Sequence, residues 1–271
     1  GGSSDSGGNS SGGDKKPALS HAWLELPGVD GNQEYVLTAK DGKLRNFSYN
    51  YDKDMYSSLW VAYPLYSDVL GGTRKESWAA DPGVPKDEQI NVWSSSYGVN
   101  VGSTSHTGYN SSANIYSRGH QIPDADRRGN SAMQAQTYYA TNMTPQIQNG
   151  FNGGIWSSLE EAVRSTTSSA DTVYVATGPA FQKVGEAKSV TWILPQNETV
   201  KECPVPNYYW KVLLKVKRDK NKNVTSASAI GFWFDHKVYS NDSYTNYAVS
   251  VKQIEEWTGF DFFVNVPDSI E

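Results

Sequence analysis

Short β-rich runs broken by turn residues recur along this chain, and that rhythm limits its fold more than any other feature. Residues 34–38, 44–49 and 59–63 read as three strands, the first two separated by Asp41 and Gly42. Residues 172–176, 208–216 and 229–234 read as three more. Helical spacing is confined to shorter stretches: residues 131–139, residues 155–163 with Trp156, Leu159 and Val163 on one face, and residues 251–257. Strands outnumber helices and the two are interspersed, which predicts an α+β fold: a mainly antiparallel central β-sheet flanked by helices. Thirteen per cent of the residues are aromatic, nine of them Trp, so burial rests on rings as much as on Leu and Ile.

Charge and cysteine usage exclude several classes. No apolar run approaches the roughly 18 residues that cross a bilayer. A net charge of −5 argues mildly against a polyanionic partner, so any phosphate site must be local. One cysteine, Cys203, forms no internal disulfide and excludes a multi-Cys zinc site; beside Pro204 it reads as buried or idle. Residues 1–17 are a Gly/Ser-rich stretch read as a flexible tether. Either it follows a signal peptide and a lipid-anchored Cys upstream of Gly1, which places the protein secreted or at the cell surface or periplasm of a bacterium, or it is a plain linker. Residues 18–271 are expected to form one domain, with 18–56 a strand-rich N-terminal extension of no assigned role.

Chemistry concentrates in two clusters. His120 lies in a dense polar run with Arg118, Arg127 and Arg128. A neutral imidazole can take a proton from water, and guanidinium forks can hold a phosphodiester. Equally, His120 could be a structural histidine bonded to backbone in a polar loop. The second cluster runs from Thr141 through Asn142, Gln146 and Asn152 to Glu160 and Arg164. It offers oxygens to a hard cation such as Mg²⁺, which takes few protein ligands and keeps several waters. On a straight helix Asn152 and Glu160 would stand about 12 Å apart, too far to share one ion. Either Gly153 and Gly154 bend the chain or Glu160 acts through a water, the reading preferred here. Glu160 and Arg164 are one turn apart, as in any surface i,i+4 pair. Residues 71–112 form a long polar loop that carries Arg74.

Together these blocks resemble the DNA/RNA non-specific endonucleases of the ββα-metal class. Ser117-Arg118-Gly119-His120 is similar to the family's Asp-Arg-Gly-His block, and residues 152–160 to its Asn-x-Gly-x-Trp-x-x-Leu-Glu block. Residues 142–146 resemble the connecting segment, and residues 74–82 the Arg-x-x-x-Trp-x-x-Asp-Pro loop. The likeness runs from about residue 60 to 267. It implies a ββα-metal active site with His120 as general base, Asn152 as direct ligand of Mg²⁺ (Mn²⁺ substituting) and Glu160 acting through water. It further implies that Arg74 clamps the phosphorane, that Arg118 and Arg164 support the reaction, and that Arg118, Arg127 and Asn142 help bind the substrate. DNA and RNA are the implied partners and 5′-phosphate ends the products. Ser117 departs from the family's leading Asp, which bears on rate and geometry rather than reaction type. The competing readings are a surface protein that binds glycans or nucleobases through exposed rings, a nuclease fold that retains only binding, and a phosphodiesterase for smaller substrates. His21, His106 and His236 read as structural or exposed.

Overall fold

The computed structural model describes residues 23–28, 36–40, 44–98, 116–170 and 172–266. His21, His106 and the tether at 1–17 lie outside them. In chain order the strands are β1 (Val36–Lys40), β2 (Leu44–Asp52), β3 (Ser57–Leu65), β4 (Tyr116–His120), β5 (Met143–Ile147), β6 (Val173–Ala180), β7 (Thr191–Ile193), β8 (Cys203–Val205), β9 (Tyr208–Arg218), β10 (Val224–Asp235) and β11 (Ala248–Val249). The α-helices are α1 (Ser131–Gln136), α2 (Trp156–Ser165) and α3 (Val251–Thr258). Seven strands make one sheet in the order β1-β2-β3-β6-β9-β10-β11, antiparallel throughout. The expected α+β architecture is what the chain forms.

Period-two alternation sorts the central strands onto two cores. From β9, Trp210, Val212, Leu214 and Val216 join Trp60, Ile254 and Phe262 on the side covered by α3. Tyr209 and Leu213 join Trp156, Leu159, Val163 and Phe234 under α2. Covered on both faces, β6 is buried from end to end. The stretch 18–56 is given no role by its sequence; of its described residues, Leu24 and Leu26 pack on the α3 side, and Phe47 and Tyr49 of β2 on the α2 side. The tryptophans with the largest fully buried side chains, Trp60, Trp156 and Trp210, lie in the core and not on a stacking surface.

Local chemistry sets the helix ends. The Ser250 hydroxyl accepts the Gln253 N–H at 3.0 Å to open α3, and Gly259, at φ 76°, closes it with its N–H on the Glu255 carbonyl. Asn130 caps α1 by accepting the Met133 N–H. The expected helix at 131–139 stops at Gln136, because Thr137, Tyr138 and Tyr139 donate to carbonyls three residues back and the chain tightens.

Residues 142–146, likened to the family's connecting segment and given no secondary structure from the sequence, fall largely in β5, paired antiparallel with β4 so that Arg118 faces Pro145 and His120 faces Met143. This ribbon stands apart from the main sheet and is tied to it by side chains. The Tyr209 hydroxyl donates to the Pro145 carbonyl at 3.0 Å and lies 2.7 Å from the Thr144 hydroxyl. His236, read as structural or exposed, takes the structural role: Nε2 accepts the Ile147 N–H at 2.8 Å while Nδ1 donates to the Pro206 carbonyl at 2.7 Å. Burial between the Phe151 and Tyr209 rings pushes its pKa down to about 4. The folded state therefore refuses a proton that the unfolded chain accepts near pH 6.5. Stability is expected to be full above that pH and to fall as the pH drops towards 4. In urea titrations across this window, His236→Gln should show a shallower pH dependence than the parent; identical slopes would contradict the assignment.

Candidate active site

The ribbon places His120 at the end of β4, against the rings of Trp78 and Tyr138, whose centroids are 5.6 and 4.8 Å away. Its Nε2 is buried and has no hydrogen-bond partner among the described residues. Burial holds its pKa down at about 3, with Arg74 and Arg118 adding to the effect and Asp124 and Glu76 opposing it. Burial thus favours the neutral ring. Gly119 is required beside it, since a Cβ there would stand 2.5 Å from the Gln146 Oε1 and 2.6 Å from the Gln146 Cβ.

Ser117, the residue that departs from the family pattern, joins this strand to the segment before α2. Its hydroxyl donates to the Gln146 carbonyl at 3.2 Å and accepts from the Asn152 Nδ2 at 3.0 Å. The second Asn152 amide hydrogen goes to the Gln148 Oε1 at 2.9 Å. Both donors of the amide are thus spent, and its carbonyl oxygen is the atom left to face a ligand. Backbone angles at Gly153 and Gly154 are non-helical, so the chain kinks between Asn152 and α2. The bend that Gly153 and Gly154 could allow is therefore present.

Glu160, half-buried on α2, has its carboxyl pushed up to about 7, by burial first and then by Asp126 and Asp124, with Lys211 and Arg164 pulling the other way. Lys211 is fully buried, donates to the Thr177 hydroxyl at 3.2 Å and lies 4.8 Å from the Trp156 ring centroid. Burial lowers its pKa. Arg164 forms its ion pair with Asp126, at 3.0 Å, and not with Glu160; Tyr63 donates to the other oxygen of Asp126 at 2.7 Å. The expected surface pair is thereby corrected: the buried carboxylate of Asp126 outcompetes a neighbour one turn away.

Arg74, with 47% of its side chain exposed, lies 5.6 Å from the Tyr138 ring centroid and within 3.5 Å of Asp124. Burial would raise the Asp124 carboxyl, but Arg128, at 3.1 and 3.2 Å, holds it below its ordinary value. Arg118 stacks 3.5 Å from the Trp78 ring centroid and donates to the Val92 carbonyl at 3.0 Å.

Two expected substrate contacts are corrected by their surroundings. Arg127 is fully buried and donates to the Asn46 Oδ1 and to the carbonyls of Asn46, Pro64 and Asp126, at 2.7–2.8 Å. No face of its guanidinium is open to a phosphate. Asn142, also buried, accepts the Ile122 N–H and donates to the carbonyls of Ile122 and Thr137. It pins the turn after His120 and leaves no group for substrate. Conversely, Asp124 and Asp126 pair with Arg74 and Arg164, and the charge of Lys211 acts on the Glu160 carboxyl, roles no spacing announced. The two aspartates stood in the His120 block, but nothing in the order of residues distinguishes a brace from a loop carboxylate.

Donor chemistry fits a hydrated divalent ion: an Asn carbonyl with its amide hydrogens fixed elsewhere and, on the helix that follows, a carboxyl whose ionisation two other carboxylates oppose. A separate two-stranded ribbon carrying a neutral histidine, followed by a helix whose approach carries that Asn, defines the ββα-metal class of nucleases. The family model described as DNA/RNA non-specific endonuclease matches residues 31–269, and the chain belongs to that family. It is 28% identical over 216 residues to a nuclease of Serratia marcescens, covering 78% of this chain and 70% of that one. A nuclease of Nostoc sp. is 26% identical, covering 83% and 73%. For the mitochondrial Nuclease 1 of Schizosaccharomyces pombe the identity is 31%, over 56% of this chain and 47% of the relative. Among solved structures, a chain of the EndoG/EndoGI complex superposes with a TM-score of 0.65 over 90% of this chain and 89% of that one, at 20% identity.

Proposed function

We propose that the chain is a Mg²⁺-dependent endonuclease that hydrolyses DNA and RNA without sequence preference and leaves 5′-phosphate ends. The observation that carries this reading is the Ser117–Asn152 hydrogen bond, which ties the strand bearing His120 to the Asn that offers its carbonyl. Asn152 would hold the ion directly and Glu160 would order its waters; when bound, the ion stabilises charge on the leaving 3′ oxygen. Neutral His120 takes the proton of a water whose oxygen bonds to phosphorus as the P–O3′ bond breaks. Arg74, the guanidinium most open to solvent at this site, clamps the phosphate oxygens, and Arg118 and Arg164 supply further positive charge. Contacts of this kind engage phosphate and not bases, so either nucleic acid is accepted. Ser117 supports the site by orienting the Asn152 amide, a task that needs a hydrogen-bond acceptor and not a full negative charge.

Residues 1–17, polar and Gly/Ser-rich, support a tethered domain working outside the cytoplasm, secreted or at the cell surface. Digestion of plasmid and of RNA in parallel tests the activity. Cleavage of both with Mg²⁺ or Mn²⁺, and none in excess EDTA, is the expected result, with 5′-phosphate termini that accept ligation. Undiminished cleavage in EDTA would remove the metal from the mechanism.

A further inference from the structure

We propose that the outer edge of β10, from Ser226 to Ile230, docks an extended segment of a partner polypeptide that carries bulky apolar side chains on both faces and carboxylates at one end. The first observation is topological. On its inner side β10 pairs with β9 along almost its whole length, whereas β11 pairs only with Gly231 and Phe232. Among the described residues no strand lies against the outer side of residues 226–230, and Ser226, Ser228, Ala229 and Ile230 are exposed. The N–H and C=O groups of an edge strand are a template for another strand, and natural chains guard them with Lys, Pro or a covering element. Here Ser-Ala-Ser-Ala-Ile offers neither charge nor proline.

Apolar grooves flank this edge on both faces of the sheet. On the α2 side a groove of about 260 Å³ is bounded by Leu159, Val163, Leu213, Ile230, Phe232 and Tyr244. On the α3 side one of about 290 Å³ is bounded by Leu214, Ala227, Val251, Phe262, Phe263 and Val266. Ser228 and Ala229 border both. Successive side chains of an added strand point to opposite faces, so neighbouring residues of the guest reach the two grooves in turn. Strand addition gains affinity from the main chain and selectivity from such pockets.

Size and charge identify the occupant. The same edge of a second copy presents mainly Ser and Ala, too small to fill either groove. Bulky apolar side chains are needed. At the start of the edge, the end of β9 and the turn into β10 carry Lys215, Lys217, Lys220 and Lys222. The acid among them, Asp219, accepts the N–H groups of Asn221 and Asn223 at 2.8 and 3.0 Å. This end is therefore basic on a chain of net charge −5, and it favours a guest with carboxylates there.

Fluorescence anisotropy of the full chain with a labelled peptide Glu-Asp-Val-Phe-Ile-Phe-Thr, and with the same residues in reverse order, tests the proposal. One of the two peptides is expected to bind saturably. Binding should weaken at least about tenfold in Ala229→Phe, whose ring occupies groove space, and again in about 1 M salt, where the screening length falls to about 3 Å. Lys217→Glu should weaken it as well. Unchanged nuclease activity and melting of both variants would show that the fold and the active site are intact. Failure of both peptides to bind, or equal binding by Ala229→Phe, would overturn the proposal. So would a sedimenting dimer of the parent that Ala229→Phe dissociates, since the guest would then be a second copy.

Discussion

His120→Ala is expected to lower phosphodiester cleavage by about 10²–10⁴-fold while leaving a folded protein, the loss that removal of a general base produces. The two halves of this expectation have separate physical grounds. The imidazole is neutral because burial disfavours its charged form, so no bound proton has to leave before it can act as a base. The buried Nε2 has no hydrogen-bond partner among the described residues, so truncation at that atom orphans no donor or acceptor and sacrifices packing against Trp78 and Tyr138. Initial rates on supercoiled plasmid at saturating Mg²⁺, together with urea midpoints, measure the two effects separately. A variant that cuts at the parent rate would end the assignment of His120 as the base, whatever its stability.

Arg127→Met should do the reverse. The substitution keeps most of the side-chain volume and removes the donors that satisfy the Asn46 Oδ1 and the carbonyls of Asn46, Pro64 and Asp126. Leaving a buried polar group unsatisfied costs about 1–3 kcal/mol each. A total of at least about 3 kcal/mol corresponds to a melting temperature lower by roughly 6–12 °C for a chain of this size. Cleavage by the folded fraction at low temperature should stay within a few-fold of the parent. An arginine that gripped phosphate would instead leave melting unchanged and reduce the salt sensitivity of substrate binding. Calorimetry and rates at several salt concentrations distinguish the two outcomes.

The architecture was legible where burial imposes a period. Strands β2, β3 and β9 and helices α2 and α3 form close to their expected bounds, whereas β6 runs on to Ala180 and β10 begins at Val224, five residues before its apolar stretch, because pairing with β9 extends both. Strand β5 was not legible: Met-Thr-Pro-Gln-Ile contains a proline and no alternation, and it becomes a strand through pairing with β4 and the bonds from Tyr209 and His236. The end of α1 was missed for a similar reason, since tight turns at Thr137 and Tyr138 replace a spacing that would have continued.

By itself the sequence determined the alternation that makes an antiparallel sheet, and which His, Asn, Glu and Arg stand in blocks able to serve phosphate chemistry. Those properties depend on residue type and spacing along the chain. Only the tertiary structure decided that Arg127 and Asn142 face inward while Arg74 faces out, that Asp126 and not Glu160 holds Arg164, and that Ser117 orients Asn152. A guanidinium or an amide has the same chemistry wherever it lies in the sequence. Its role follows from which acceptors reach it first and how much water remains, and residues distant along the chain set both.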